Sequence, residues 1–338
     1  LVPLFGSVGC IMTMFLINAK FSIIAILVII GMYFFLLKKT SSVYAPDVRS
    51  GLLVYLAERF AKVASRLPYY PKIWKPNLLV SVKDMDIFSR ALPLIQSIVS
   101  PSGRITAFKI LTQSEKDLKE GFQEQLASSV LPLKEKNIFV ETGIVEASEA
   151  LSGTITIMQT VNNMFFPPNT LFYILDRGEG TQASFAGQGI IKEASSEGLG
   201  IIVLKCNEKV GMSQERIVNL WIRRQSPNIN LAILIALQLE KNWQGIVRLI
   251  QVVDHEGERE EACSYLLKLK NLMRMSPEVD VAVMAGRFKD VLKEAPLADI
   301  NIFGMGEDPD IAMIYEVADC VQTSVLFLRD SKHESALA

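Results

Sequence analysis

Two uncharged apolar runs open the chain, at residues 1–17 and 21–37, and the short polar break Asn18-Ala19-Lys20 separates them. Each run is at the lower limit of the roughly 17–25 residues that cross a bilayer as a helix. Together they predict a transmembrane helical hairpin over residues 1–39. Lys38 and Lys39 end the second run, and the positive-inside rule then places everything after about residue 38 in the cytoplasm.

A signal peptide and a buried hairpin both fit these two runs less well. A cleaved signal peptide would need a basic stretch before a single shorter apolar core and a small-residue cleavage site after it, and the chain has neither. A buried hairpin of a soluble protein suits either run alone but not both in succession. We therefore expect an integral protein of the cell membrane. The chain starts with Leu1 inside an apolar helix, and we expect more membrane helices upstream.

An amphipathic helix is predicted directly after the membrane segment. Apolar residues recur there at helical spacing, at Leu52, Leu56, Phe60 and Val63. The pattern predicts a helix over residues 47–66, so that residues 40–76 form a connecting helix and linker. The helix could pack on its own domain, or it could contact a partner or the membrane interface. These four residues are our candidate coupling or dimer contacts.

Short β-rich segments then alternate with helical ones. Predicted strands occupy residues 78–82, 105–111, 138–145, 171–175 and 200–205. The predicted helices between them occupy residues 87–99, 115–134, 147–161 and 185–197. This alternation predicts a mostly parallel sheet covered by helices on both faces.

The same order begins again at Arg216. Strands are predicted at residues 216–222, 245–253, 280–285, 298–305 and 324–330. Helices are predicted at residues 229–242, 258–273, 288–295 and 311–321. Five strands and four helices recur in one order, which indicates a duplication. We predict an α/β fold with two similar lobes, residues 77–208 and 209–338, each a mostly parallel five-stranded sheet with helices on both faces.

Charge and cysteine content exclude several classes of function. The chain has 35 Lys+Arg and 36 Asp+Glu, a formal net charge of -1, and no block of like charges, which disfavours nucleic acid as a partner. The four cysteines lie far apart, with no C-x-x-C and no histidine in metal-ligand spacing: Cys10, Cys206, Cys263 and Cys320. They predict buried, reduced thiols in a cytosolic setting, and neither a metal nor a cofactor is expected.

No enzyme motif appears at the carboxyl ends of the predicted strands, where an open α/β sheet binds its ligands. The chain lacks the P-loop, the G-x-S-x-G elbow and the H-E-x-x-H zinc motif. His255 and His333 are the only histidines, and His255 lies in a charged turn, which predicts a solvated side chain. We therefore expect a binding or regulatory module and not an enzyme.

Three stretches could bind an anion, but a structural role is favoured for each. Residues 303–310 follow a strand and open a helix, but their carboxylates already fill the role of the anion as capping groups. Residues 176–190 form a second glycine-rich turn, which we interpret as a flexible loop. Arg223 and Arg224 lie at a strand's carboxyl end, where solvated or salt-bridged side chains are commoner than an anion site.

Several stretches of this chain, taken in order, carry a resemblance to one family. They are "GSVGCIMTMFLIN" with the apolar run up to Lys38, then "IWKPNLLV", "IMQTVNNMFFPPNTLFYIL", "NLWIRRQSPNINLAILIALQLEKNW" and "TSVLFLRD". The motif positions within them are Trp74, Pro76, Gln159, Pro168, Asn169, Thr170, Trp221 and Trp243. In this order they resemble the last two transmembrane helices and the cytosolic domain of the cation-chloride cotransporters.

This resemblance implies a secondary transporter of the amino acid-polyamine-organocation superfamily, which carries chloride together with potassium or sodium. The chain would hold the last two transmembrane helices and the cytosolic C-terminal domain, a regulatory part with universal-stress-protein-like lobes through which such transporters form homodimers. The implied partners are the lipid bilayer, a second copy and the transmembrane core upstream. The ion-binding residues would lie in that core, and none is expected in this chain.

The sequence departs from animal members of the family at two places. Arg224-Gln225-Ser226-Pro227 stands where they have Asp-Asp, and Asn162-Asn163 replaces glycines. The long phosphorylated insertions are also missing, which favours a prokaryotic transporter. Two other functions stay open, a membrane-anchored nucleotide-binding sensor with two stress-protein-like lobes and an anchored α/β enzyme. A related amino acid permease fits the duplicated tail poorly.

Overall fold

The computed structural model describes residues 2–39, 48–64, 66, 74–164, 166–175, 181–207, 215–224, 226, 228–306, 310–321 and 323–336. The chain divides into two compact units, Leu1–Leu67 and Pro68–Ala338. We call the second unit the body.

Helix α1, Val2–Lys39, is broken at one residue. Asn18 has φ -159° and ψ 100°, and its Oδ1 accepts a hydrogen bond from the backbone N–H of Phe21 at 3.3 Å, as an N-cap residue does. Ser22 Oγ donates to the carbonyl oxygen of Met14 at 2.7 Å. A straight helix would separate residues 14 and 22 by about 12 Å along its axis, so α1 bends sharply at Asn18.

The bend confirms the break that the sequence predicts at residues 18–20. Among the described helices, one is long and apolar enough to cross a membrane by its length and composition, over Phe5–Phe35. Two separate crossings, as a hairpin requires, stay a prediction. Helix α2, Val48–Ala64, follows within the predicted residues 47–66.

Strands and helices alternate through the body. The first lobe contains β1 Asn77–Ser81, β2 Arg104–Leu111, β3 Phe139–Glu146, β4 Thr170–Ile174 and β5 Gly200–Lys205. Its helices are α3 Met85–Val99, α4 Lys119–Ser129, α5 Leu131–Glu135, α6 Ala150–Asn162 and α7 Thr181–Ser196. The second lobe contains β6 Ile217–Trp221, β7 Ile246–Val253, β8 Asp280–Ala285, β9 Ile300–Gly304 and β10 Ser324–Arg329. Its helices are α8 Ile229–Trp243, α9 Arg259–Leu272, α10 Phe288–Lys293 and α11 Ile311–Val321.

One predicted helix is wrong, because residues 115–134 do not form a single helix. The chain forms a 3₁₀ turn at Gln113–Leu118 and then the two helices α4 and α5. Pro132 lies in the first turn of α5 and has no N–H, so it cannot extend the hydrogen-bond ladder of α4.

All ten strands form one sheet in the order β3-β2-β1-β4-β5-β10-β9-β6-β7-β8. Neighbouring strands within each lobe are parallel, which confirms the two predicted five-stranded lobes. The lobes meet where β5 pairs antiparallel with β10, with Ile202 opposite Leu328. The sequence pattern did not predict this continuous sheet, because alternation along the chain does not reveal how the outer strands of two lobes pair.

The antiparallel seam decides which groups share an end of the sheet. Strands of the second lobe run opposite to those of the first lobe. The amino ends of β1–β5, where Trp74 leads into the body, therefore lie at the same end as the carboxyl ends of β6–β10. We call this the incoming end of the sheet and the opposite one the far end.

Helices cover both faces of the sheet, and strand alternation assigns each side chain to one face. On β4, Phe172 and Ile174 join one apolar core while Leu171 and Tyr173 join the other. All residues of β4 are buried, as expected for a parallel strand covered on both faces. Each core contains residues of both lobes, so the body folds as one unit.

Side chains of α8 tie the second lobe to the C-terminal turn of α3 in the first. Asn242 Nδ2 donates to the carbonyl oxygens of Ser97 at 2.6 Å and Ser100 at 3.0 Å, and Gln238 Nε2 also donates to the Ser100 carbonyl. Trp243 Nε1 donates to Ser97 Oγ at 3.0 Å. These bonds satisfy carbonyl groups at a helix end and hold the two lobes against hinge motion.

Candidate functional site

Each lobe has a point where the strand order reverses, and open α/β sheets bind ligands in the crevice there. In the first lobe this crevice lies between β1 and β4 at the far end of the sheet. In the second lobe it lies between β6 and β9 at the incoming end. Two cavities of about 190 Å³ and 270 Å³ lie beside the edge strand β3, away from both crevices.

Side chains at the start of α8 lie at the crevice of the second lobe. Asn228 is buried and donates from Nδ2 to the carbonyl oxygen of Met305, while its Oδ1 accepts the backbone N–H of Asp330 at 3.3 Å. A Cβ on Gly304 would lie 3.4 Å from Ser226 Oγ, so Ser226 packs directly against the carboxyl end of β9. These contacts place Asn228 between the carboxyl ends of β9 and β10.

Asp330 is a buried carboxylate at the end of β10. Its Oδ1 accepts the backbone N–H of Leu231 at 3.0 Å and its Oδ2 that of Asn230 at 3.1 Å, so it caps α8. Burial, with a smaller contribution from the Glu334 carboxylate, raises the pKa of Asp330 to about 6, although the hydrogen bond from the Leu231 N–H lowers it. Sequence reasoning missed this group, whose only signal was an aspartate directly after an apolar strand.

Glu334 lies beside Asp330 in the segment that follows β10. Its Oε2 accepts the backbone N–H of Ser331 at 2.9 Å, and its Oε1 is buried with no hydrogen-bond partner in the described chain. A Cβ on Gly200 would lie 2.7 Å from that Oε1 atom. The absence of a side chain at Gly200 therefore lets the C-terminal segment of the second lobe approach β5 of the first.

The crevice of the first lobe holds two lysines. Lys109 is buried, and its Nζ donates to the carbonyl oxygen of Lys83 at 2.7 Å and lies 4.3 Å from the ring centroid of Phe122. Lys83 Nζ lies 4.9 Å from the ring centroid of Tyr173. Sequence reasoning also missed Lys109, although a single lysine inside the apolar strand β2 was a visible signal.

The two predicted glycine-rich stretches have different structures in the parts that are described. Residues 181–190 belong to α7, so the flexible-loop interpretation of residues 176–190 is wrong for that part, and residues 176–180 lie outside the described residues. Within residues 303–310, Asp310 Oδ1 accepts the backbone N–H of Ala312 at 2.9 Å, which confirms capping there. Residues 307–309 lie outside the described residues.

The remaining candidate groups have structural roles. Arg224 pairs with Glu261 at 2.7 Å, as the salt-bridge interpretation predicts, and His255 is exposed as predicted. All four cysteines are free, but the prediction of buried thiols is wrong for Cys10, which is exposed on α1, and the other three are only half-buried. Burial raises the pKa of Cys206 to about 11, which keeps it protonated. In the described parts of the chain, no group of three or more His, Cys, Asp and Glu side chains could hold a metal ion.

Asn169 joins the segment that enters the body to the start of β4. Its Nδ2 donates to the carbonyl oxygen of Lys75 at 2.6 Å, and its Oδ1 accepts the backbone N–H of Asn77 at 3.0 Å. The buried Thr170 hydroxyl donates to the same Oδ1 at 3.0 Å. The carbonyl oxygen of Pro76 accepts the backbone N–H of Arg104 at 3.0 Å. These motif positions set the register at which the first lobe begins.

The other motif positions are also structural. Trp221 Nε1 donates to Asn301 Oδ1 at 2.8 Å while its ring stacks on Phe303, with centroids 5.5 Å apart. Gln159 Nε2 donates to Glu193 Oε1 at 3.3 Å between α6 and α7. Trp74 and Pro168 pack at the incoming end, and Trp243 forms the bond between lobes described above. The eight motif residues are therefore distributed through the body and do not converge on one site.

The predicted coupling face of α2 is uncovered. Its four residues are all exposed by more than a third, at Leu52 58%, Leu56 39%, Phe60 70% and Val63 61%. The neighbouring Arg59 Nε donates to the hydroxyl of Tyr55 at 2.9 Å. A row of exposed apolar side chains on one helix is typical of a contact surface.

Two family models match the body of the chain. The family model described as the prokaryotic cation-chloride cotransporter C-terminal domain, 1st, matches residues 80–212, and the model for the 2nd such domain matches residues 213–337. No curated protein matched the chain in a sequence search. The boundary between the two matches lies within a few residues of the predicted lobe boundary at 208.

Solved structures share the fold of the body. The cytoplasmic domain of a prokaryotic cation chloride cotransporter is 24% identical with a TM-score of 0.67, covering 78% of this chain and 99% of that one. A universal stress protein from Archaeoglobus fulgidus is 13% identical with a TM-score of 0.53, covering 76% and 97%. A putative universal stress protein from Pseudomonas aeruginosa is 11% identical with a TM-score of 0.54, covering 77% and 95%. At these identities the structures show the fold alone.

The two family matches follow each other without a gap and together span both lobes of the continuous sheet. The chain therefore belongs to the prokaryotic cation-chloride cotransporters, and its body is the cytoplasmic domain of such a transporter.

Proposed function

We propose that this chain is the C-terminal part of a secondary active transporter that carries chloride together with potassium or sodium. In this proposal the body is the regulatory and dimerisation domain, lies in the cytoplasm and takes no part in the ion pathway. The observation that carries the proposal is the ordered match of both lobes to the two cotransporter domains, downstream of an apolar helix suited to a membrane.

The rigidity of the body supports a regulatory role. One sheet, two shared cores and the α3–α8 hydrogen bonds make the lobes a single unit. Such a unit can bias alternating access only if it contacts the inward and outward states with different free energies, typically about 1–3 kcal/mol for an allosteric coupling. The exposed apolar face of α2 would make the contacts that differ.

The N-terminal helix supports a position outside the ion pathway. Transporters of this architecture bind ions near the bilayer midplane, at broken helices with exposed backbone carbonyls and half-helix ends. The break in α1 at Asn18 instead lies in the polar segment between the two apolar runs and within neither of them. Residues 1–37 contain no acidic residue, and Lys20 is their single charge. We therefore assign the ion ligands to the transmembrane core upstream.

Removal of residues 78–338 from the full transporter tests this assignment. Chloride flux into vesicles and the oligomeric state in detergent should be measured for the intact and shortened proteins. We expect a change in flux, in oligomeric state or in both. If neither property changed, the regulatory and dimerisation role would be wrong.

A second pair of variants separates coupling from dimerisation. Phe60→Ser removes the most exposed apolar side chain of the α2 face, while Glu58→Gln changes a polar residue on the same helix. We expect Phe60→Ser to alter flux while the protein remains dimeric, and Glu58→Gln to behave as the unchanged protein. Equal flux in both variants would refute coupling through this face.

A further inference from the structure

An apolar loop is exposed at the incoming end of the sheet, between α6 and β4. Met164 and Phe166 are 54% and 55% exposed, and Pro167 beside them is also exposed. Phe165 lies between them in sequence and outside the described residues. Several exposed apolar residues close together in a loop are unfavourable in water unless they serve a function.

This loop is fixed to the segment that enters the body from the membrane side of the chain. Asn169, three residues after Phe166, binds the backbone of both Lys75 and Asn77. Only residues 65–73 connect the end of α2 to Trp74, and they include Tyr69, Tyr70 and Lys72. Tyrosine, tryptophan and lysine are the residues enriched at the boundary between lipid headgroups and acyl chains.

A cation lies directly beneath the loop. The guanidinium carbon of Arg104 is 3.8 Å from the ring centroid of Phe166 and 5.6 Å from that of Phe139, which is itself 55% exposed. The NH1 nitrogen of Arg104 is buried beneath these rings and has no hydrogen-bond partner in the described chain. Burial lowers the pKa of Arg104 against the raising effect of the Glu141 carboxylate.

We propose that Met164, Phe166 and Pro167 insert into a lipid bilayer and that Arg104 binds a lipid phosphate there. Met164 and Phe166 would enter the acyl region, where exposed apolar area is stabilised. Movement of the Phe166 ring into lipid would open Arg104 NH1 to a phosphate oxygen, which is the acceptor that a guanidinium binds best. The loop is then a second contact with the membrane, separate from α1.

The arrangement favours lipid over a protein surface as the occupant. The apolar residues are few, project from a loop and surround a cation, which matches the layered chemistry of a bilayer surface better than the broad, flat area of a stable protein interface. The far end offers a comparison, because Leu297 is 88% exposed there but precedes β9 between the half-buried Pro296 and Ala298. We expect no lipid contact at Leu297.

Fluorescence quenching by brominated lipid tests insertion in the intact chain. The 338-residue chain carrying Phe166→Trp is reconstituted into vesicles with ordinary or brominated acyl chains, and the emission of the unchanged chain is subtracted. The added tryptophan should lose most of its emission in brominated vesicles. Leu297→Trp, the matched control, should be equally bright in both. Equal emission of Phe166→Trp in both lipids would overturn the proposal, and a blue-shifted but unquenched spectrum would assign the loop to a protein contact instead.

Vesicle flotation of the body supplies a second measurement, since the body has its own closed cores and a related cytoplasmic domain has been crystallised by itself. Removing one inserted phenylalanine should weaken partitioning about tenfold to a hundredfold. We expect Phe166→Ser to reduce flotation by that factor and Leu297→Ser to leave it unchanged. Equal flotation of the two variants, at any level, would contradict insertion.

Discussion

Asp330 should make the body less stable as the pH rises, which is the reverse of the usual behaviour of a carboxylate. Burial raises its pKa from 3.8 to about 6 in the folded body. The folded state therefore binds the proton more tightly than the unfolded chain does. This contribution favours folding below about pH 4, decreases between about pH 4 and 6, and is absent above that range.

The magnitude follows from the size of the shift. About two pKa units at about 1.4 kcal/mol each correspond to about 3 kcal/mol of stability lost between acid and neutral pH. Asp330→Asn keeps an oxygen that can accept the N–H of Leu231 but carries no charge at any pH. Its Nδ2 cannot accept the Asn230 N–H that bonds Oδ2 in the unchanged body, which adds a cost that does not vary with pH. We therefore expect the free energy of unfolding of the variant, relative to that of the unchanged body, to rise by about 2 kcal/mol between about pH 4.5 and about pH 7.5.

Urea denaturation at the two pH values measures this difference, with the fluorescence of the buried Trp221 and Trp243 as the signal. Asp310→Asn is the matched control, because Asp310 also caps a helix but in an exposed position. Only the Asp330 variant should gain stability relative to the unchanged body as the pH rises. A difference that stayed constant with pH, or grew in the opposite direction, would refute the buried-carboxylate reasoning.

Two further substitutions test how the body is assembled. Trp243→Phe removes the bond to Ser97 Oγ between the lobes and should lower the free energy of unfolding by about 1–2 kcal/mol in urea titrations, whereas an unchanged midpoint would show that this bond contributes nothing. Gly245→Ala places a Cβ in steric conflict with the carbonyl oxygen of Arg216 and should cost about 3 kcal/mol or more in the same assay, while the control Gly257→Ala meets no atom within 4 Å and should change stability by less than about 0.5 kcal/mol. Equal stability of the two alanine variants would show that β6 and β7 can separate at their amino ends without cost.

The motif residues illustrate what could be inferred before the structure and what could not. Trp221 and Trp243 were identified by resemblance, but nothing in their sequence context distinguishes an indole that holds Asn301 from one that joins two lobes. Asp330 and Lys109 were missed for a related reason. Whether a charged residue next to or inside an apolar strand is solvated or buried depends on helices distant in sequence, here α8 and α4.

The chain's local pattern of polar and apolar residues determined its elements and its duplication. The β8 strand and helix α11 have the bounds that periodicity predicts, because a strand or helix buried on a known face needs a fixed spacing of apolar side chains. The sequence also indicated the break in α1, because the side chain of Asn18 can cap the turn that follows it.

Only the tertiary structure decided how the two lobes combine. The pairing of β5 with β10 depends on backbone groups that every residue carries, so no sequence pattern marks it. That one seam makes a ten-stranded sheet and reverses the second lobe. It also brings Asp330 to the same end of the sheet as Arg104 and the apolar loop. Long-range pairing, and not local preference, therefore determines which chemical groups of this protein meet.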